Sequence, residues 1–180
     1  MPTTRLLTPD DAPALARLQA QNRAFLAPWE PARPDDWFTP EGQRKALEDV
    51  LALHAQGLAL PHVVLDRHGT IAGRITLTGI ARGAFLSASL GYWVSADRNG
   101  QGLATAAIAE MKQIAFRELG LHRIEAGTLE HNTASQRVLQ RNGFTRIGLA
   151  PRYVRIAGRW QDHVLFQVLD EDDSAVTMAP

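Results

Sequence analysis

The chain has 180 residues, with 19 basic and 19 acidic side chains balancing to a formal net charge of zero, so the total carries no basic excess of the kind a nucleic-acid binder shows. It contains no cysteine, which removes disulfides, thiolate metal sites and cysteine nucleophiles together. The length fits one domain with its own core, and no apolar run reaches the length of a signal peptide or a membrane span, so the expectation is a soluble, cytoplasmic protein.

Along the chain, "TRLLT" reads as a first short strand. Thr8 as cap, Pro9 at the first helical position and Asp11 three residues after the cap then open a helix through "APALARLQAQ". "NRAFLAPWEPARPDDWF" is a loop rich in proline and aromatics, too apolar for a linker. A second cap and proline, Thr39–Pro40, start a helix running to about His54, and Gly57 ends it. "PHVVLDRHGTIAGRITLTGI" reads as a hairpin turning near Arg67 to Gly69, and "GAFLSASLGYWVS" as a third strand.

After "DRNGQGLA" a helix follows, its apolar face set by Ala104, Ala107, Ile108, Met111, Ile114, Ala115 and Leu119, with Gly120 closing it. "HRIEAGTL" is a strand, "NTASQRVLQRNG" a short capped helix and "FTRIGLA" a strand. "YVRIAGRWQDHVLFQVL" reads as strand, turn and strand. The order predicts a mixed α/β sheet covered by helices, in one domain over residues 1–170, with an acidic tail over 171–180 expected to be disordered.

The glycine-bearing loop is the first candidate site. Gly100 and Gly102 permit torsions that a side chain penalises and let a ligand approach the main chain. The first amides of a helix lack helical acceptors, and the helix dipole places partial positive charge there, so Asn99 to Ala104 suits a pyrophosphate. A plain strand-to-helix turn would look the same locally. The Lys-Ser/Thr of a nucleoside-triphosphate loop is missing, because Gly102 is followed by Leu103 and Ala104. The glycine spacing also fails the dinucleotide fingerprint.

The segment Asn99-Gly100-Gln101-Gly102-Leu103-Ala104 resembles the signature Arg/Gln-x-x-Gly-x-Gly/Ala of the GCN5-related N-acetyltransferase (GNAT) superfamily, with Asn99 in place of Arg or Gln and Arg98 one position earlier. "FLAPWEP", "LGYWVSADRNGQGLATAAI", "LGLHRIEAGTLEHNTASQRVLQRNGF" and "GRWQDHVLFQVL" extend the resemblance over most of residues 5–169, to the branch holding the ribosomal-protein-alanine N-acetyltransferases. The resemblance implies an acyl-CoA N-acyltransferase fold, with a mostly antiparallel sheet and flanking helices. It also implies acetyl-coenzyme A as co-substrate. The main chain of Trp93, Val94 and Ser95 would follow the pantetheine arm. The loop from Asn99 through Gly100, Gln101, Gly102, Leu103, Ala104 and Thr105 would take the pyrophosphate.

The resemblance further places Asn132 and Ser135 beside the coenzyme, Ser135 as donor to the leaving sulfur. By local chemistry alone they are a helix cap and a small polar residue in the first turn. Many superfamily members use a tyrosine as that donor; this branch usually does not, and only Tyr92 and Tyr153 are available. Glu125, a carboxylate inside a strand, must face solvent, a cleft or a partner, and is the first candidate to take the amine proton, directly or through water. His122 and His131 are alternatives. The histidines form no metal-ligand pattern, and no metal is expected.

Trp29, Trp37, Phe38 and Tyr92 are candidates to line an acceptor groove, with Trp160 in the last hairpin. An α-amine, with a pKa of about 7.7–8.0 against about 10.4 for lysine, loses its proton more readily near neutrality. That makes an α-amine acceptor chemically easy, and the resemblance implies acetylation of a protein or peptide N-terminus, with a ribosomal protein favoured. A small amine or amino acid as acceptor and a non-catalytic coenzyme-binding module are the alternatives. No direct nucleic-acid or membrane contact is expected, and the chain is a monomer or a homodimer.

Overall fold

A computed structural model describes residues 3–171; the expected tail, beyond Glu171, lies outside the described residues. Strand β1 (Thr4–Leu6) leads through a tight turn at Pro9–Asp11 into α1 (Ala12–Gln21), a single turn α2 (Arg23–Leu26) and α3 (Pro40–Ala55). Strands β2 (Ala59–Leu65), β3 (Ile71–Ala81) and β4 (Ser87–Val94) follow, then α4 (Leu103–Gln113), β5 (Arg123–Leu129), α5 (Thr133–Arg141), β6 (Thr145–Ile156) and β7 (Arg159–Leu169). The strands form one sheet in the order β1-β2-β3-β4-β5-β7-β6, antiparallel except for the β4–β5 pair.

Local chemistry explains the helix starts. The Thr39 hydroxyl accepts the Gly42 amide at 3.1 Å with Pro40 at the first helical position. At the earlier start the Asp11 carboxylate accepts the Thr8 amide at 2.8 Å and grips Arg5 through both oxygens. Burial alone would raise the Asp11 pKa, but Arg5 and the Thr8 amide together hold it below its ordinary value. Helix α4 does not run regularly to Leu119 but widens into a π turn at Ile114–Glu118, where the Leu119 amide reaches back to Ile114.

Both faces of the sheet are covered. Ile75, Leu77, Ile124 and Phe166 pack against Ile108 and Met111 of α4 and Leu139 of α5. Leu7 and Val63 pack against Leu15 of α1 and Leu47 of α3. Burial on both faces makes β2 apolar along most of its length rather than alternating. No helix among the described residues is long and apolar enough to cross a membrane.

Two departures from the sequence reading have physical causes. "FTRIGLA" and "YVRIAG" are not two strands but one, β6, with a register shift between Ala150 and Val154 and Arg152 at φ 50°. Pro151 reads as a break, yet β6 is an edge strand, where a missing N–H costs no ladder bond. The proline-rich loop also holds α2 and a tight turn at Asp35–Phe38.

The feature that makes a site is the β4–β5 junction. The two strands pair in parallel only over Ser87–Ser89 and Arg123–Glu125. Beyond Ser89 they part, so Leu90–Val94 has β3 on one side and an opening on the other.

Candidate active site

At the open end of β4 the chain turns through Ala96–Arg98 into the glycine loop. Gly100 and Gly102 adopt φ of 76° and 78°, and a Cβ at either would meet nothing within 4 Å. The first helical bond of α4 runs from the Ala106 amide to the Gly102 carbonyl. The amides from Gly100 to Thr105 have no acceptor among the described residues. A run of free N–H groups at a helix N-terminus is a cradle for an anion.

The cradle is pinned from behind. Asn22, at the end of α1, donates to the Ser95 hydroxyl at 2.9 Å and accepts the Ala96 amide at 2.8 Å. The Ser95 hydroxyl in turn donates to Asp97 at 2.5 Å. Arg98 bridges Asp97 at 3.3 Å and Asp66 at 3.5 Å. The Thr70 and His68 amides, then Arg98, hold the Asp66 pKa below its ordinary value.

Ser95 does not take the place expected of it. Its amide donates to the Ala72 carbonyl at 2.8 Å and its carbonyl accepts the Arg98 amide, so its main chain is committed within the fold. Antiparallel alternation turns Trp93 toward β3 in the same way and leaves the main-chain groups of Tyr92 and Val94 facing the opening. Of the three residues expected along the opening, only Val94 turns its main chain toward it, joined there by Tyr92.

A cleft of about 420 Å³ runs from Asn99, Gly100 and Gly102 past Leu103, Ala104 and Thr105 to Asn132 and Ser135. Gln101 lies outside it, its side-chain amide folded back on the Asp97 carbonyl at 3.3 Å. The cleft continues into a gap of about 250 Å³ between β4 and β5, bordered by Gly127, Thr128 and His163. On the α1–α3 face lies a third hollow, about 560 Å³, floored by Arg74, Thr76, Gly91 and Trp93 and walled by Arg33 and Trp37. Trp29 and Tyr92 border all three spaces and so mark their junction.

At that junction the Tyr92 phenol and the Ser135 hydroxyl are 2.8 Å apart, and either can donate. Burial pushes the Tyr92 pKa up to about 12, with Ser135 opposing it in part, so the phenol keeps its proton at neutral pH. Asn132 caps α5, its carbonyl accepting the Ser135 amide at 3.1 Å, and this fixes where the serine points. Trp29 leans on His131, with ring centroids 5.3 Å apart.

Glu125 stands apart from Ser135. It is half-exposed, 3.6 Å from Arg123, in a shallow hollow shared with Tyr153 and His163. Pairing with Ser89 and Gln167 puts it on the same sheet face as Gly91 and Trp93, beside the part that α1 and α3 cover. His122 precedes β5, at the end where the strands are paired rather than parted. Trp160 is 64% exposed on the last hairpin and borders none of these spaces, while Phe38 is covered by the Arg23 guanidinium at 4.3 Å.

Sequence reasoning passed over Arg33, Arg74 and His163 as site residues. His163 is buried and borders both the gap and the Glu125 hollow. Its Nδ1 lies 3.1 Å from the Gln161 carbonyl, which can only accept, so the neutral ring presents Nε2 as a lone pair. Arg74 was detectable by the rule applied to Glu125, since a charged side chain within the strand "IAGRITL" requires a cleft or a partner.

With the geometry in place, comparison with known proteins gives its class: residues 3–145 match the acetyltransferase (GNAT) domain family, and the chain belongs to that family. It is an N-acetyltransferase of the ribosomal-protein-alanine N-acetyltransferase-like branch. It is 36% identical to the probable N-acetyltransferase YjcK of Bacillus subtilis, over 94% of each chain. It is 35% identical to the [ribosomal protein uS5]-alanine N-acetyltransferase of Escherichia coli, over 93% of this chain and 87% of that one. The solved structure of Mycobacterium smegmatis RimJ in complex with CoA-disulfide superposes with a TM-score of 0.89 at 35% identity, covering 94% of this chain and 82% of that one.

Proposed function

We propose that this acetyltransferase acetylates the N-terminal α-amine of a protein or peptide from acetyl-coenzyme A, with ribosomal proteins the favoured class. The observation that carries the reading is the meeting, at Trp29 and Tyr92, of an amide-lined cleft on one side of the sheet opening with a broad tryptophan-walled hollow on the other. The hollow is open, lined by Trp29, Trp37, Tyr92 and Trp93 and carries Arg33 and Arg74, which suits a peptide better than a closed acidic pocket for a small cationic amine would. The relatives named for uS5-alanine acetylation and for a coenzyme complex support the same reading.

The coenzyme supplies an acetyl thioester. The free amides from Gly100 to Thr105 would hold its pyrophosphate, and the outward main-chain groups of Tyr92 and Val94 would line its arm. The protein then has two proton tasks. As the C–N bond forms and the C–S bond breaks, the amine sheds one proton and the leaving sulfur gains one. Tyr92, protonated and hydrogen-bonded to Ser135, is suited to the second task, with Ser135 able to relay the proton. Glu125 through water, or the Nε2 of His163, serves the first.

The test is acetyl transfer by the purified protein to Ala-, Ser- and Met-starting peptides, α-blocked lysine peptides and small amines, read by mass spectrometry. Gain of one acetyl group on a peptide α-amine is expected. Transfer to small amines alone would move the substrate class, and coenzyme binding with no transfer to any acceptor would point to a binding module.

A further inference from the structure

The acceptor hollow contains an uncompensated set of hydrogen-bond donors. Arg74 rises from β3 opposite Trp93, and no acid lies within ion-pair distance of it among the described residues. The Arg33 guanidinium lies over the Trp37 ring, 4.0 Å from its centroid, while its Nε is buried without a partner. The Trp37 Nε1 is likewise buried and unpartnered. The two arginines are close enough that Arg33, after burial, helps pull the Arg74 pKa down to about 10, and Arg74 remains a cation at neutral pH.

Buried donors are normally satisfied, and two neighbouring guanidinium groups without a shared anion repel. The acids at this hollow do not resolve the imbalance. Glu30 is half-buried, with its carboxyl held above its ordinary pKa by burial against the opposing pull of Arg33, and forms no ion pair among the described residues. Asp49 is exposed at the rim. What fits two guanidinium groups and an indole N–H is a carboxylate, which accepts several hydrogen bonds in one plane. The hollow reaches the reaction junction at Trp29 and Tyr92, so that carboxylate would sit close to the amine being acetylated.

We infer that the acceptor carries a carboxylate near its reactive amine, bound by Arg74 and Arg33 in the hollow between α3 and the β3–β4 face. The inference rests on the α-amine reading above and deepens it. The carboxylate is an acidic side chain within the first few residues of a peptide, or the α-carboxylate of a free amino acid.

The experiment uses the full chain with coenzyme present and Ala-starting peptides bearing Asp at position 2, 3 or 4, each beside its Asn twin, together with alanine beside alaninamide. Binding is read by tryptophan fluorescence, so the result does not depend on turnover, and kcat and KM are measured in parallel. At one position the Asp peptide is expected to bind about ten- to a hundredfold more tightly than its Asn twin, the worth of a charged hydrogen bond. R74M should erase the preference and R74K keep part of it, with coenzyme affinity retained as the sign of an intact fold. A preference for alanine over alaninamide with none among peptides supports the carboxylate site and overturns the peptide reading instead. Equal binding within every pair overturns the inference, and acetylated peptides in that result would leave the α-amine reading standing.

Discussion

Alanine at Gly102 separates backbone strain from coenzyme binding. Gly102 caps α4 at φ 78°, ψ 1°, a left-handed conformation that costs an L-residue about 1–2 kcal/mol. Its Cβ would meet no atom within 4 Å, so no clash adds to that cost. The lower chain entropy of alanine in the unfolded state returns about 0.4–1 kcal/mol, leaving a net loss of about 1 kcal/mol. For a chain of this size that lowers Tm by about 2–4 °C. Gly57, just past α3 at φ 72° and also with no atom within 4 Å, supplies the control. G57A should lose similar stability and keep the coenzyme affinity of the wild type. G102A puts a methyl group among the free amides and should weaken coenzyme binding at least about tenfold, a loss of about 1.4 kcal/mol, and G102W should abolish it. Thermal melts and calorimetric titration with coenzyme A measure the two effects separately. If G102A melts like G57A yet binds coenzyme as the wild type does, the amides of this loop do not hold the pyrophosphate.

Four further outcomes are expected. S135A and Y92F should each lower kcat about a hundredfold or more with little change in coenzyme affinity; an unchanged kcat in both would reduce the 2.8 Å pair to packing. E125Q should lower kcat at least about tenfold, and a wild-type rate in E125Q beside a slow H163Q would transfer the base role to His163. Burial lowers the His62 pKa from 6.5 to about 4 against the pull of Glu110, so between those values the unfolded chain holds the extra proton. Stability should therefore fall as pH drops from 6.5 to 4, by on the order of 3 kcal/mol in all; urea melts of H62Q with the wild-type pH slope would refute this. L139A, which removes a fully buried side chain between α5 and the sheet, should cost about 2–5 kcal/mol in the same melts.

Much of the fold was legible because its signals are local. Thr39 and Pro40 start α3 where the capping pattern says, and Asn132 caps α5 through a bond spanning three residues. The π turn after α4 and the continuity of β6 through Pro151 were not legible. The first alters a hydrogen-bond pattern without altering the apolar period, and the second depends on β6 being an edge strand. The candidate site divides in the same way. The free amides after Gly100 and Gly102 follow from glycine placement at a helix start, but the commitment of Ser95 to Ala72 depends on β3–β4 register.

By itself the sequence determined the capped helix starts, most strands and their order, the left-handed glycines and the free amides that follow them, because torsional preference and capping act over a few residues. Only the tertiary structure decided that Tyr92 meets Ser135 across 43 positions, that β4 parts from β5 after Ser89, and that Arg33, Trp37 and Arg74 converge on one hollow. Those contacts depend on strand register and on which face each side chain takes, and a shift of one residue in register would send Tyr92 and Arg74 to the other side of the sheet, away from their partners.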